Sequence, residues 1–217
     1  MSIRTRDYLD AIEHLPEGAT LVFQQFSWDD YERLDNLTDR HNVRLTYDSG
    51  RLEIMSPLAK HERYARLIEK MVFVFAEKLD VELESYGETT WKRRKLARGI
   101  QADCCYYVLN ADRVIGKAAI DLESDPPPDI AVGIDIPNES LSKFTIYAAL
   151  RVPEIWRYDD RKLHFYVLTG SSYRQTSESR FLAGLKPEML ADALELSKTA
   201  GQRSALRSFR KRISKGR

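Results

Sequence analysis

Asp129-Ile-Ala-Val-Gly-Ile-Asp135 reads as a strand with one finished face and a gap on the other. Alternate residues of a strand share a face, so Ile130, Val132, Ile134 and Ile136 form an apolar side, while Asp129, Ala131, Gly133 and Asp135 form the opposite one. Two carboxylates therefore flank a glycine. At roughly 3.3 Å per residue, Asp129 and Asp135 stand about 20 Å apart, too far to share one ion, and Asp135 is about 7 Å from position 133. A metal on this strand would use Asp135. Asp129 reads as a lead-in residue outside any site, because the preceding Pro126-Pro127-Pro128 cannot lie inside a sheet and sets an extended approach.

Outward from this strand the pattern alternates helix and strand. On the N-terminal side, Thr20 to Phe26 is a strand candidate, Ser27 an N-cap for a helix through Leu34, and Asp48-Ser49-Gly50 joins Val43–Tyr47 to Leu52–Met55 as a hairpin. Ser56-Pro57 leads into a long helix whose Tyr64, Leu67, Ile68, Met71, Val72, Phe75 and Leu79 line one face, a core stripe. Val81 to Tyr86 and Gly99 to Val108 read as strands. Beyond Pro137-Asn138, a helix spans Ser140 to Leu150 and stops at Val152-Pro153. Ile155–Tyr158 and Leu163–Leu168 close the sheet around the turn Asp159-Asp160-Arg161.

The chain has 217 residues and is 43% hydrophobic, enough for one core, so a single domain over residues 1–190 with a tail over 191–217 is expected. Met-Ser-Ile-Arg-Thr-Arg-Asp lacks a signal core and no apolar run approaches the roughly 20 residues of a membrane span, so a cytoplasmic protein is expected. Cys104 and Cys105 are adjacent and read as reduced, buried thiols. The net charge of +1 hides an asymmetry: Lys198 to Arg217 holds eight of the 34 basic residues and none of the 33 acidic ones, which leaves −7 on the rest. Such a body is not a ready-made phosphate-binding surface. Leu206, Phe209 and Ile213 fall at helical spacing, so the tail reads either as a basic amphipathic helix or as a solvated terminus. Trp91-Lys92-Arg93-Arg94-Lys95 reads either as a nucleic-acid contact or as a solvated loop.

Gln101 and Asp103 share a strand face, and a neighbouring strand would bring Gly133 and Asp135 to them. Carboxylates on adjacent strands suit a hard cation such as Mg²⁺, which takes oxygen ligands and can polarise a phosphate and activate water. The same residues would equally suit a surface or turn. Several further stretches narrow this choice. Leu-Glu-Ile-Met-Ser-Pro at Leu52 to Pro57, His61-Glu62, Gly87-Glu88-Thr89-Thr90-Trp91, Gln101-Ala102-Asp103, Pro127-Pro128-Asp129-Ile130, Ile134-Asp135-Ile136, Tyr147-Ala148 and Val152 to Asp159 together resemble the Uma2 family of the restriction-endonuclease-like PD-(D/E)XK superfamily.

The resemblance runs from about Leu21 to Leu168. It implies an α/β (α+β) fold with a mixed central sheet flanked by helices and an N-terminal strand, helix and hairpin extension. It also implies a homodimer and an Mg²⁺- or Mn²⁺-dependent endonuclease acting on DNA. Asp103 matches the first strand carboxylate, and Gly133 stands where the motif acid is expected. Asp135 occupies the usual lysine position and Gln101 a position where relatives often carry Glu. His61 and Glu62 match a site-proximal pair, and Lys143 is the candidate for a migrated lysine. With Asp103 and Asp135 as the metal ligands, the missing acid at 133 predicts weakened or absent metal binding. The alternative is a non-catalytic nucleic-acid- or protein-binding module on the same fold.

Overall fold

Asp103 divides the protein. The expected long strand from Gly99 to Val108 breaks there into β6 (Arg98–Ala102) and β7 (Cys104–Tyr107), which belong to two different sheets. The computed structural model describes residues 3–38, 43–134 and 143–214. The first sheet holds β1 (Thr20–Phe23), β3 (Arg51–Met55), β2 (Arg44–Asp48), β6 and β5 (Thr89–Arg93), in that spatial order and antiparallel throughout. The second is mixed, in the order β11 (Ser172–Thr176), β10 (Leu163–Thr169), β9 (Glu154–Tyr158), β8 (Ile130–Ile134), β7 and β4 (Glu84–Ser85), with β8 and β9 parallel. Among the described residues six α-helices flank the two sheets: the α+β, restriction-endonuclease-like architecture expected from sequence. The expected N-terminal extension is thus most of a sheet in its own right.

Local chemistry explains the elements. Ser27 caps α2 (Trp28–Thr38), its Oγ accepting the Asp30 N–H at 3.1 Å. Asp48 pairs with Arg51 across a two-residue loop whose Ser49 and Gly50 both have positive φ, 50° and 96°, the turn that matches strand twist. The stripe on α3 (Ala59–Leu79) buries Tyr64, Leu67, Ile68, Met71, Val72 and Phe75 against the Ile130, Val132 and Ile134 face of the mixed sheet. Ala131 faces the other way, into a second cluster with Trp91, Ile100 and residues of α4 (Lys143–Ala149). A third cluster joins the outer face of the first sheet to α2 and to α1 (Ile3–Glu13).

Several elements differ from the sequence reading. Only Glu84–Ser85 of the Val81 to Tyr86 segment is strand. The basic run is not a loop: it lies on β5 and the turn after it, Trp91 is fully buried and so cannot stack on a base, Lys92 meets Asp35 at 2.7 Å, and Arg94 is clasped by Asp29 and Glu32. Trp156 is core, stacked on Phe165 with centroids 4.4 Å apart. Two helices follow the last strand, α5 (Pro187–Ala200) and α6 (Gln202–Ser214), and both pack into the α3 cluster. Among the described residues no helix is long and apolar enough to cross a membrane.

Candidate functional site

The break at Asp103 frees its side chain from strand geometry and turns it onto β8. Its backbone N–H donates to the Val132 carbonyl at 3.0 Å, and its Oδ2 accepts the Ile134 N–H at 2.7 Å. Its Oδ1 lies 3.5 Å from Nε of Arg44, and both side chains are only 8% exposed. The far edge of the same guanidinium forks onto Glu88, with 2.6 Å from Nη1 to Oε2 and a second bond from Nη2 to Oε1. Arg44 thus bridges two carboxylates, an arrangement its planar, multi-donor head is suited to make. One step beyond the last ladder pair, Cys104 with Val132, the register sets Asp103 opposite Gly133. Directly paired strand residues place their Cβ atoms about 5 Å apart, so position 133 is where a second carboxylate would stand beside Asp103.

The N-terminus of α3 brings two more residues near. His61 is buried, its Nδ1 accepting the Leu58 N–H at 2.8 Å, which ties off the start of the helix. Burial lowers its pKa below the ordinary 6.5, with the cations of Lys143 and Arg44 acting in the same direction and Asp103 opposing them. The ring is therefore neutral at neutral pH and within electrostatic reach of all three. Burial works to raise the Glu62 pKa, but bonds to Arg66 and Glu88 and the charge of Arg44 outweigh it and hold the carboxyl below its usual range. Glu62 is thus electrostatically tied to Glu88 and Arg44, and from Glu88 a polar chain runs through Arg44 and Asp103 to the Ile134 N–H.

Lys143, at the start of α4, shares a cavity of about 20 Å³ with Gly133, room for a single water. Arg157 pairs with Gly133 across β9 and lines the same space. Gln101 pairs with Thr90 and lines an open cleft of about 530 Å³ with Asp35, Lys92 and the Arg44 and Glu88 of the Asp103 network. Asp135 lies outside the described residues. Asp129 is 1% exposed and structural, accepting the N–H groups of Val108 and Asn110.

Sequence reasoning missed three charged groups. Arg44 and Glu53 read as ordinary members of a hairpin, yet they are 7% and 4% exposed, and Glu88 carries no signal of its own within Gly87 to Trp91. A signal was available for Glu53 alone, a charge between Leu52 and Ile54 on a strand, where a charge is seldom buried without a partner.

Residues 28–199 match the model of the Uma2 family, described as "Putative restriction endonuclease". The chain belongs to the Uma2 family. The matched span contains Arg44, His61, Glu62, Glu88, Asp103, Gly133 and Lys143, and leaves α1, β1 and α6 outside. No curated protein matches the chain. In this Uma2 member no three His, Cys, Asp or Glu side chains among the described residues are grouped to hold a metal ion, and the described acids of the site are already committed. Both Asp103 oxygens are engaged, Glu88 is forked by Arg44, and Glu62 is bonded to Arg66. The thiols offer no substitute, since burial pushes Cys104 up to about 11 and Cys105 higher still.

Proposed function

We propose that this protein is a Uma2-type nuclease of DNA in which phosphodiester hydrolysis is impaired, leaving a DNA-directed fold with a degraded cleavage site. The observation that carries this reading is the register of β7 and β8. It sets a glycine opposite Asp103, so the carboxylate that would share a cation with Asp103 is missing, and Asp103 turns instead to Arg44 and the Ile134 N–H. A hard cation such as Mg²⁺ or Mn²⁺ gives up its water only to several fixed oxygens, and one engaged carboxylate is a poor exchange. No hydrolytic step is assigned to the metal. What the chain's own groups offer is a neutral His61 and the cations Arg44 and Lys143 around the position where a phosphate would lie. The reading includes a cytoplasmic homodimer, whose mass sedimentation equilibrium would report.

Plasmid cleavage and calorimetric Mn²⁺ titration on the native protein, Gly133→Glu, and Gly133→Glu combined with Asp103→Asn test it. Little or no cleavage by the native protein is expected. Gly133→Glu should gain both Mn²⁺ binding and metal-dependent cleavage, and Asp103→Asn should abolish both again. Efficient Asp103-dependent cleavage by the native protein would sink the claim of impairment. Failure of Gly133→Glu to bind Mn²⁺ would show that the lost acid is not what limits the site.

A further inference from the structure

Helix α6 begins beyond the residues that match the Uma2 family, and its composition is unlike the rest of the chain. It carries Arg203, Arg207, Arg210, Lys211 and Arg212 and no acidic residue. Ala205, Phe209 and Ile213 are buried against the α3 cluster, so the helix is anchored and its orientation is set. Lys78 of α3 adds a hydrogen bond to the Ile213 carbonyl at 2.6 Å, and Arg212 pairs with Asp192 of α5.

Anchoring one face decides what the opposite face presents. With 3.6 residues per turn, positions 203, 207, 210 and 211 fall within about a third of the helix circumference, roughly opposite the buried positions. All four are exposed, and among the described residues none has an acidic partner. The stripe is about 12 Å long at 1.5 Å per residue. Duplex DNA carries one negative charge per roughly 1.7 Å of axis, so about seven phosphate charges lie along that length.

The helix that carries the stripe also begins near the site. Arg63, two residues after His61 on α3, bonds to the Ser197 carbonyl near the end of α5, and Lys78 near the far end of α3 bonds to Ile213. Helix α6 therefore starts at the end of α3 that carries His61 and Glu62 and runs alongside it to the other end.

We propose that the exposed face of α6 is a docking surface for the phosphate backbone of duplex DNA, extending the contact away from the Asp103 site. The proposal rests on the DNA-directed reading above. A phosphate surface rather than a bilayer is the partner because every large apolar side chain of α6 is turned into, or packed against, the protein core, which leaves nothing to insert between acyl chains. The charge also complements its surroundings: cations that a body of net −7 would otherwise hold are gathered on one helix, where they release counterions from DNA.

The test is fluorescence anisotropy of a short labelled duplex across a salt series, with the native chain and with Arg207→Gln, Arg210→Gln and Lys211→Gln combined. These side chains are exposed, so the melting temperature should not move. The slope of log affinity against log salt should fall by about 2.7, three phosphate contacts at about 0.9 each, and affinity at physiological salt by roughly tenfold or more. Arg212→Gln, already paired with Asp192, should change less. Native binding that survives the triple substitution with its salt slope intact would overturn the α6 surface and leave the DNA-directed reading standing. Absence of native binding would remove both. Native binding to phosphatidylserine vesicles in preference to the duplex, lost in the triple variant, would also overturn it.

Discussion

At the scale of single residues, the site is governed by what each charge has for company. Asp103 is engaged by an arginine and a backbone N–H, and Gly133, opposite it in the register, contributes no side chain; on the reading proposed above that is the position of a lost acid. His61 shows the same dependence in its titration. Its folded pKa lies below 6.5, chiefly through burial, so as pH falls the unfolded chain takes up the proton first. Stability from this residue is complete above about pH 6.5 and is lost as pH drops toward the folded value. Urea midpoints measured between about pH 7.5 and pH 5 should fall for the native protein and fall less steeply for His61→Gln. An equal decline in both would place the sensitivity elsewhere.

At the scale of elements, the strand break at Asp103 and the docking of α2 on the first sheet matter most. From Gly99 to Asp103 apolar and polar residues alternate, and from Cys104 to Val108 the run is wholly apolar; both patterns suit a strand, so the change does not by itself say that Ala102 and Cys104 serve different sheets. The break is a consequence of twist and of Asp103 bonding to β8. The close approach of α2 is legible only in three dimensions as well. A Cβ at Gly99 would lie 2.1 Å from the Tyr31 hydroxyl oxygen and 2.7 Å from its Cζ, so the helix sits where only glycine permits it. Gly99→Ala should cost about 1–3 kcal/mol by chemical denaturation, since a packed core resists added volume. Tyr31→Phe in that background should recover part of it, because the hydroxyl has no hydrogen-bond partner and is the nearest obstruction. No recovery would mean that the ring, not the hydroxyl, sets the spacing.

At the scale of the molecule, the described residues form two sheets, three apolar clusters and six helices, joined so that charge and packing are segregated. The C-terminal helices close the α3 cluster: Phe209 is 2% exposed with its ring centroid 6.4 Å from that of Phe75. Phe209→Ala should therefore cost about 3–5 kcal/mol in urea unfolding, the range for a buried aromatic, whereas a frayed tail would give almost nothing. Much of this architecture is written in the sequence. The 3.6-residue stripe of α3, the alternation of β8, the Ser27 cap and the Asp48 to Arg51 turn are local signals, each set by the period or dihedral preference of a few neighbouring residues. Asp103, Gly133, His61 and Lys143 could be named as candidates for the same reason, through short motifs that resemble a family. What the tertiary structure alone decided is which charges meet. Arg44 lies 44 residues from Glu88 and 59 from Asp103 yet meets both, and Gln101 lines the open cleft that Arg44 and Glu88 share. A sequence states the chemistry of each side chain and the period of its own element. The distance between charges on different strands, which sets whether they bind a cation, each other or DNA, follows only from how the sheets cross.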